Sequence, residues 1–457
     1  MHRLGLSLGL AMLGGCGSDD SEGKGAMSMA GSAGASSQAG SSSQSGGGGL
    51  DAGSGGSGSE AGSGGKPGKM TFMGDPGTGG HTMDGPGTRP CGPARAATGV
   101  SALTSDAWTD ISPGEAKLGI NGDEAVFTQG IAVDPSNPGT VYVALAGNNN
   151  KTFQFIQGGL CKSTDSGATW SLLGNFDQPL DVVVDPEDPL HLYVGDGVRG
   201  GTFGFWSSVD GGQTWVQPQA FVELASSVRS ADVYHIEPNP EDFNHVLVSF
   251  HGAWHDCQDF GFGGCTSGII ESFDGGGSWT LHQPPAGWAG KGGFAVFMLY
   301  NPELGLGDPK TWLVGTQGAG YWRTTDGGES WRQVSDASMS HGGAQIYYSK
   351  TGDLFVGAEL TPLVSSDNGA TWTKLNMANG VPAGYYFALY GDGTSLFTSS
   401  NGTQNGFISA LESNNTSWSV FNDQKFAEST FEFALDRGTG ILYASIWAGG
   451  VLARRTE

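Results

Sequence analysis

The sequence predicts an all-β chain folded as a seven-bladed β-propeller of four-stranded antiparallel blades. Three observations carry this prediction: an octapeptide recurs along the chain, every repeat has the same order of short strands, and glycine- and proline-rich turns separate the strands. The octapeptide first occurs as "STDSGATW" at residue 163, and near copies begin at 208, 272, 324 and 365. The tryptophans that close the copies are 41 to 64 residues apart, a spacing typical of propeller blades with insertions: Trp170, Trp215, Trp279, Trp331, Trp372 and, in a degenerate copy, Trp418.

Each unit begins with a strand, a proline-rich turn and a second strand, as in "GIAVDPSNPGTVYVALAG". A third strand, the octapeptide turn and a fourth strand that starts at the tryptophan follow. Six such units begin near residues 127, 179, 231, 293, 342 and 384, and the C-terminal "TFEFALDRGTGILYASIWAGGVLARR" supplies only three strands. The stretch "AWTDISP" around Trp108 has the pattern of an outer strand. We therefore expect this N-terminal strand to complete the seventh blade and close the ring without open edges.

The first residues resemble a bacterial lipoprotein signal. Arg3 precedes the short apolar run "LGLSLGLAML", which leads into "GGC" and is too short to span a bilayer comfortably. The resemblance implies a signal peptide over residues 1–15 and lipidation of Cys16; the alternative is an ordinary secretory signal with a chance cysteine. Because Gly17 rather than Asp follows, we expect a lipid anchor in the outer membrane, with the chain periplasmic or exposed at the cell surface.

Residues 16–90 are rich in glycine, serine and alanine, as in "SQSGGGGLDAGSGGSGSEAGSGG". Such a segment has too little apolar surface to offset the entropy lost on ordering, so it predicts a disordered tether. The propeller is then expected over residues 91–457.

The charge of the chain excludes one class of partner. The formal net charge is −24, and only 14% of the 457 residues are charged. A chain this acidic is unsuited to phosphate backbones and anionic lipid surfaces. We expect no nucleic-acid partner and no cofactor, and we expect a monomer.

The cysteines that follow Cys16 are even in number, which in an exported protein favours disulfides. Three connectivities are possible for Cys91, Cys161, Cys257 and Cys265. Cys257 and Cys265 lie close together in one glycine-rich loop and are the first choice for a pair, which leaves Cys91 to pin the end of the tether to Cys161. Metal binding is a weaker alternative, because the chain lacks a paired CxxC spacing.

With these repeats in place, the chain resembles the Asp-box, or BNR repeat, superfamily of propellers over roughly residues 100 to 457. The pattern Ser/Thr-x-Asp-x-Gly-x-Thr/Ser-Trp is matched at Asp165, Asp210, Asp274, Asp326 and Asp367. The resemblance implies that each box forms the turn between the third and fourth strands, that its carboxylate accepts hydrogen bonds within the turn, and that its tryptophan packs between blades. Carboxylates spread around a ring cannot converge on one substrate, so we expect a structural role for all five.

Ligands are then expected at the opposite face, above the central channel. Its longest loop, "HGAWHDCQDFGFGGCTSG", carries aromatic, histidine and carboxylate side chains. The binding candidates on this face are Trp254, His251, His255, Arg229, Trp288, His341, Tyr385 and Trp447. Carboxylates that could act as an acid–base pair are Asp177, Asp232, Glu359 and Glu432. A metal site formed by His251, His255 and His341 is a further hypothesis, although the loop spacing of the histidines gives it no support.

Superfamily resemblance does not determine function. The superfamily includes sialidases, xyloglucan-degrading glycoside hydrolases, sortilin-type receptors and a photosystem II assembly factor. Sialidase chemistry needs an arginine triad, and here neither enough well-placed arginines nor the Arg-Ile-Pro motif occurs. The sequence favours a surface-anchored propeller that binds carbohydrate and leaves its processing open. The alternatives are a glycoside hydrolase on a neutral polysaccharide, which in relatives uses a cleft between two propellers, and a protein-binding scaffold.

Overall fold

A computed structural model gives the fold. It describes residues 82–84, 91, 94, 103–114, 125–148, 158–197, 202–228, 230–250, 267–283, 294–339, 345–375, 384–402, 406–421, 426, 429–447 and 449–456. These residues form seven antiparallel sheets, each built around four strands, and the seven-bladed propeller predicted from the repeats is confirmed.

The first two strands in the chain belong to later blades and are β1 (Thr82–Asp84) and β2 (Thr109–Asp110). Blade 1 consists of β3 (Ala125–Val133), β4 (Val141–Asn148), β5 (Gly159–Ser163) and β6 (Ser171–Gly174). Blade 2 consists of β7 (Pro179–Val184), β8 (Leu192–Asp196), β9 (Gly204–Ser208) and β10 (Thr214–Val216). Blade 3 follows helix α1 (Gln219–Val228) and consists of β11 (Val233–Asn239), β12 (Asp242–Phe250), β13 (Ile269–Ser272) and β14 (Thr280–His282).

Blade 4 consists of β15 (Phe294–Asn301), β16 (Leu306–Thr316), β17 (Gly320–Thr324) and β18 (Arg332–Ser335). Blade 5 consists of β19 (Ile346–Tyr348), β20 (Leu354–Val356), β21 (Leu363–Ser365) and β22 (Thr373–Lys374). Blade 6 has a divided first strand, β23 (Gly384–Tyr385) and β24 (Leu389–Gly391), followed by β25 (Ser395–Gly402), β26 (Gly406–Leu411) and β27 (Asn414–Phe421). Blade 7 has β28 (Thr430–Asp436), β29 (Ile441–Ile446) and β30 (Gly450–Arg455).

The first strands of neighbouring blades pack side by side, with β28 against β3, β3 against β7, β7 against β11 and β11 against β15. The second strands of blades 2 and 7, β8 and β29, are buried along their whole length and are mostly apolar. Strands enclosed by blades on both sides need apolar side chains on both faces, which explains these continuous runs. The core therefore consists of the packed faces between blades rather than one central cluster.

The seventh blade closes as predicted from the stretch around Trp108. Strand β2 pairs antiparallel with β30, with Thr109 opposite Ala453. The ring of Trp108 is buried edge-on against Phe407, at a centroid distance of 5.1 Å, and Arg454 lies over its face. The N-terminal strand is thus joined to blade 7 by backbone pairing and by an aromatic anchor.

The Asp-box turns have the structural role expected from the sequence. The Asp165 carboxylate accepts hydrogen bonds from Ser163 Oγ at 2.7 Å, Thr169 N at 2.8 Å and Thr169 Oγ1 at 2.6 Å. Two consecutive residues of the turn, Ser166 and Gly167, have φ of 61° and 92°, which explains the glycine of the motif. The same three bonds recur at the four other boxes, Asp210, Asp274, Asp326 and Asp367.

Box tryptophans pack between blades. Trp170 Nε1 donates to Ile111 O at 2.8 Å, which joins the box of blade 1 to the segment after β2 in blade 7. Trp215 Nε1 donates to Leu173 O on blade 1 at 3.2 Å. Each bond satisfies a buried indole N–H with a carbonyl of the preceding blade.

Helix α1 is the one α-helix in the described part of the chain, and the sequence analysis did not predict it. Its buried residues are Phe221, Leu224, Ala225 and Val228, whose spacing is that of one helix face. This face packs between blades 2 and 3, where Phe221 meets the rings of Phe205 in blade 2 and Trp279 in blade 3. No helix among the described residues has both the length and the apolarity needed to cross a membrane.

The structure joins Cys91 to Cys161 in a disulfide with a Cα–Cα distance of 5.8 Å. This is the pairing expected for those two residues, whereas Cys16, Cys257 and Cys265 lie outside the described residues. The predicted tether of residues 16–90 contains one described element, β1, which pairs with the outer strand of blade 2. Main-chain hydrogen bonding to that edge orders a segment whose composition alone favours disorder.

Candidate functional site

The candidate site lies on the upper face, defined here as the end of the ring opposite the Asp-box turns. Because the strands are antiparallel and each box joins the third strand to the fourth, the loops between second and third strands lie at this other end. The connections from one blade to the next lie there too. Of the residues expected to bind ligand, Tyr385 and Trp447 are described; Arg229, His251, Trp254, His255, Trp288 and His341 lie outside the described ranges.

The metal hypothesis rests on histidines that the structure does not describe. Among the described residues, no group of three or more His, Cys, Asp or Glu side chains is arranged to hold a metal ion. The hypothesis built on His251, His255 and His341 therefore stays a prediction from the sequence.

Trp447 is placed on a row of stacked aromatic rings at the upper end of the channel. Its ring centroid lies 4.1 Å from that of Phe127 and 4.9 Å from that of Phe431. Phe431 stacks in turn on Phe387 at 4.6 Å. The phenylalanines are buried, whereas Trp447 is partly exposed. The indole is consequently held in place by rings of blades 1 and 7, and part of the residue remains exposed.

Tyr385 lies two residues before Phe387, beside a loop of blade 5. Glu359 of that loop pairs with Tyr385 as an antiparallel bridge, and Leu360 N donates to Gly384 O at 2.7 Å. Leu360 has φ of 72°, a left-handed conformation that residues with a Cβ rarely adopt. The side chains of Leu360 and Tyr385 are 68% and 43% exposed. This corner therefore presents an apolar side chain and a phenol to solvent on a well-bonded backbone.

An acidic cluster of Asp177, Asp196 and Asp232 lies where blade 2 meets blade 3. Asp196 ends β8 and is fully buried, and Asp177 and Asp232 are nearly so. Asp196 Oδ2 accepts hydrogen bonds from Thr202 Oγ1 at 2.9 Å and from Gln178 N at 3.1 Å. Among the described residues, its other oxygen, Oδ1, has no hydrogen-bond partner.

Burial raises the pKa of Asp196 well above its usual range, and the charges of Asp177 and Asp232 add to this effect. The surroundings of Asp196 therefore disfavour its charged form. Asp177 and Asp232 were expected from the sequence, but Asp196 was missed. The sequence did contain a signal for Asp196, because the last residue of a second strand lies at the upper face.

Within the channel, carboxylates on first strands bind backbone N–H groups of other first strands. Glu432 accepts the N–H of Ile131 at 2.8 Å, and Asp181 accepts the N–H of Ile236 at 2.7 Å. Glu237 accepts the N–H of Met298 at 3.1 Å. Glu432, a catalytic candidate from the sequence, thus joins blade 7 to blade 1.

His235 lies between two of these carboxylates, with Nδ1 3.3 Å from Asp181 Oδ2 and Nε2 3.5 Å from Glu237 Oε2. Burial opposes the charged imidazolium, but the two carboxylates outweigh this effect and raise the pKa of His235 to about 10. Burial, followed by the charge of Asp181, raises the pKa of Glu432 to about 8. His235 is therefore charged and Glu432 mostly neutral near pH 7.

Two described arginines, Arg323 and Arg332, bond to the next blade and do not face the candidate site. Arg323 Nε donates to Asn368 O at 3.0 Å, and Arg332 Nη2 donates to Ala370 O at 2.9 Å. Both acceptors belong to the Asp box of blade 5, on the end of the ring opposite the upper face. These guanidinium groups brace the next blade and are remote from the candidate site.

Two curated relatives share sequence with this chain. A xyloglucanase from Paenibacillus sp is 26% identical over 287 residues, which is 55% of this chain and 27% of that protein. A xyloglucanase from Hypocrea jecorina (strain QM6a) is 26% identical over 350 residues, 65% of this chain and 39% of that protein. The matches therefore span well under half the length of either relative.

Among solved structures, the fold is similar to that of PorZ, an essential bacterial surface component of the type-IX secretion system of Porphyromonas gingivalis. The TM-score is 0.50 at 16% identity, over 69% of this chain and 45% of that one, and it shows likeness of fold alone. No family model matches the chain. The five bonded Asp boxes, the seven blades and the two curated relatives place the chain in the Asp-box (BNR repeat) β-propeller superfamily.

Proposed function

We propose that this propeller binds neutral carbohydrate through its upper face, with Trp447 and Tyr385 as the platforms on which sugar rings rest. The observation that carries the proposal is the partly exposed Trp447 indole on its base of stacked phenylalanines. A rigid aromatic face buries the apolar side of a sugar ring at little cost in conformational entropy. The resemblance in sequence to two xyloglucanases supports a neutral polysaccharide as the ligand.

The charge of the chain favours neutral over anionic glycans. The net charge is −24, and the described upper face and channel contribute Glu359, Asp177 and Asp232. Acidic sugars would be repelled by this field, and two described arginines, Arg323 and Arg332, bond to the next blade instead of facing this site. Neutral glucans carry no charge for this field to repel.

Binding is favoured over hydrolysis because the described carboxylates are poorly placed for direct contact with a sugar. A glycoside hydrolase needs two carboxyl groups that flank the scissile bond. Asp196 is fully buried, Asp177 and Asp232 are nearly buried, and Glu432 accepts the N–H of Ile131. The second candidate function is nevertheless a glycoside hydrolase, because Asp196, whose pKa is raised by burial, lies beside two further carboxyl groups, and acid–base catalysis uses carboxyl groups with different pKa values.

We propose further that the chain is anchored through Cys16 and displays the propeller outside the inner membrane, on the strength of the leader sequence. Metabolic labelling with a palmitate analogue should mark the wild-type chain and leave Cys16→Ala unmarked. Equal labelling of the two chains would contradict a lipid anchor at Cys16.

A glycan array that includes xyloglucan, cellulose, mannan and sialylated oligosaccharides tests the carbohydrate proposal. We expect signals on neutral glucans and none on sialylated glycans. Tyr385→Ala should weaken the glucan signal, whereas Phe273→Ala, which removes an aromatic ring that is 62% exposed in an Asp-box turn, should not. An array without a glycan signal would overturn the proposal, and release of reducing ends from a bound glucan would favour the hydrolase.

A further inference from the structure

Blade 2 carries a strand that most of the other blades lack. Strand β1 lies antiparallel to β10, with Thr82 opposite Val216, Met83 opposite Trp215 and Asp84 opposite Thr214. The sheet therefore has the order β1-β10-β9-β8-β7. Among the described residues, the outer strands β6, β14, β18 and β22 end their sheets without such an addition.

The edge formed by β10 is rigid and accessible to a strand. Trp215 in its middle is fully buried, and its Nε1 donates to Leu173 O on blade 1 at 3.2 Å. Thr214 N and Oγ1 bond Asp210 of the box at 2.9 and 2.7 Å. Val216 at its end is 42% exposed even beside β1. An ordered outer strand is a template for an added strand, since its backbone is already extended, and β1 pairs with it in this way.

Strand β1, which occupies this edge, is short, and a disulfide ties the chain to the ring a few residues after it. Strand β1 is three residues long and is bracketed in the sequence by Gly79, Gly80 and Gly85. Seven residues after Asp84, Cys91 is bonded to Cys161 of β5. Seven residues span at most about 25 Å, so this link keeps β1 near the edge at an effective concentration on the order of millimolar.

We propose that the outer edge of blade 2 is a strand-addition site for an extended peptide of another polypeptide, and that Thr82–Asp84 occupies it intramolecularly. Recognition uses main-chain hydrogen bonds, so the partner is an extended segment with few bulky side chains. The net charge of −24 favours a neutral or basic partner over an acidic one. The site is distinct from the upper face, because it lies on the rim of the ring.

Full-length chains and a labelled peptide test the proposal. The probe is fluorescein-labelled GGHTMDGPG, which repeats residues 79–87. Met83→Pro in the full chain removes a backbone donor from β1 and should free the edge. We expect the peptide to bind this variant at least about tenfold more tightly than it binds the wild type, where the linked strand competes at millimolar effective concentration. Met73→Pro, the same change outside β1, should behave like the wild type.

Hydrogen exchange supplies an independent readout. Exchange protection in the segment 215–216 should be present in the wild type and in Met73→Pro, fall in Met83→Pro, and return when the peptide is added, whereas the Thr214 amide, which donates to Asp210, should stay protected throughout. A peptide in which proline replaces its methionine should neither bind nor restore protection. Equal peptide binding by all three chains, no binding to Met83→Pro at millimolar peptide, or unchanged protection of the segment 215–216 in that variant would each overturn the proposal.

Discussion

Glu432 on the first strand of blade 7 accepts the backbone N–H of Ile131 on the first strand of blade 1 at 2.8 Å, across the seam where the ring closes. The two residues are 301 positions apart in the chain. The carboxyl that makes this bond lies near Asp181 and His235, and burial together with the charge of Asp181 raises its pKa to about 8. Ring closure is therefore coupled to the protonation of a buried group.

The stability of the protein should consequently fall as the pH rises from about 5 to 9. The folded chain keeps a proton on Glu432 up to about pH 8, whereas the unfolded chain loses it near the ordinary value of 4.5. His235 acts in the same direction: its contribution is complete below its ordinary value of 6.5 and is lost as the pH rises through about 10. Glu432→Gln, which keeps an oxygen for the Ile131 N–H, should flatten this fall, and melting temperatures at pH 5, 7 and 9 measure it.

Glu303→Gln is the matched control for this experiment, because Glu303 is exposed on a turn of blade 4. Its melting temperatures should follow those of the wild type at each pH. If Glu432→Gln also follows the wild type, the raised pKa of Glu432 is not part of the stability of the ring.

Asp274→Ala should lower the free energy of unfolding without changing affinity for carbohydrate. Asp274 accepts hydrogen bonds from Ser272 Oγ at 2.9 Å and from Ser278 N and Oγ at 2.8 and 2.9 Å. Losing these bonds at a partly exposed turn should cost about 1 kcal/mol, as measured by urea unfolding. A folded variant that no longer binds carbohydrate would show that the box does more than form the turn.

At acidic pH, the stability of the protein should depend on the carboxylates of the five Asp boxes together. Burial opposes ionisation of Asp274, but the hydrogen bonds from Ser278 and Ser272 together outweigh it and lower the pKa of the carboxyl. Stability from this group is present above its ordinary value of 3.8 and is lost as the pH falls below it. Asp274→Ala should therefore differ most from the wild type near neutral pH and least near pH 2.

Trp108→Ala should open the seventh blade. The side chain is buried, with its ring edge-on to Phe407 and Phe426 at 5.1 and 5.4 Å. Replacing such a ring by a methyl group costs about 3–5 kcal/mol, and here the loss falls on the strand that closes the ring. Limited proteolysis should cut the variant within residues 103–114 before it cuts elsewhere.

Phe421→Ala, which removes a ring that is 54% exposed at the outer edge of blade 6, provides the comparison. It should melt within about a degree or two of the wild type, as surface substitutions usually do. A Trp108→Ala chain that melts and resists protease like the wild type would mean that another contact closes the ring.

The fold could be predicted from the sequence because its signals are local. Each Asp box spans eight residues, and the "AWTDISP" strand carries the same outer-strand pattern, so the blades and their closure followed from short motifs. Helix α1 had a usable signal in the helical spacing of its buried residues, Phe221, Leu224, Ala225 and Val228. This signal is short and lies between two strand repeats.

The candidate site was only partly predictable, because its properties arise from contacts between blades. Tyr385 and Trp447 were expected from their loop positions and residue types. The burial of Asp196 and the bond from Ile131 to Glu432 could not be predicted, since each depends on which strands the ring brings together. Glu432 therefore looked like a catalytic candidate although its carboxylate joins two blades.

Asp196→Asn should separate a binding protein from a hydrolase. Because burial disfavours the charged form of Asp196, a neutral amide of the same shape should leave the melting temperature at pH 7 unchanged or raised. The affinity for a glucan should also be unchanged if the cluster is structural. Loss of hydrolytic turnover with binding retained would instead identify Asp196 as part of a catalytic pair.

Isothermal titration of Trp447→Ala with a xyloglucan oligosaccharide tests the central claim most directly. We expect the wild type and Phe273→Ala to bind alike, Trp447→Phe to retain part of the affinity, and Trp447→Ala to lose at least about tenfold, equivalent to about 1.4 kcal/mol. A melting curve for each chain shows that the ring is intact. Wild-type affinity in a folded Trp447→Ala chain would contradict the account, because the ligand would then bind away from the aromatic row.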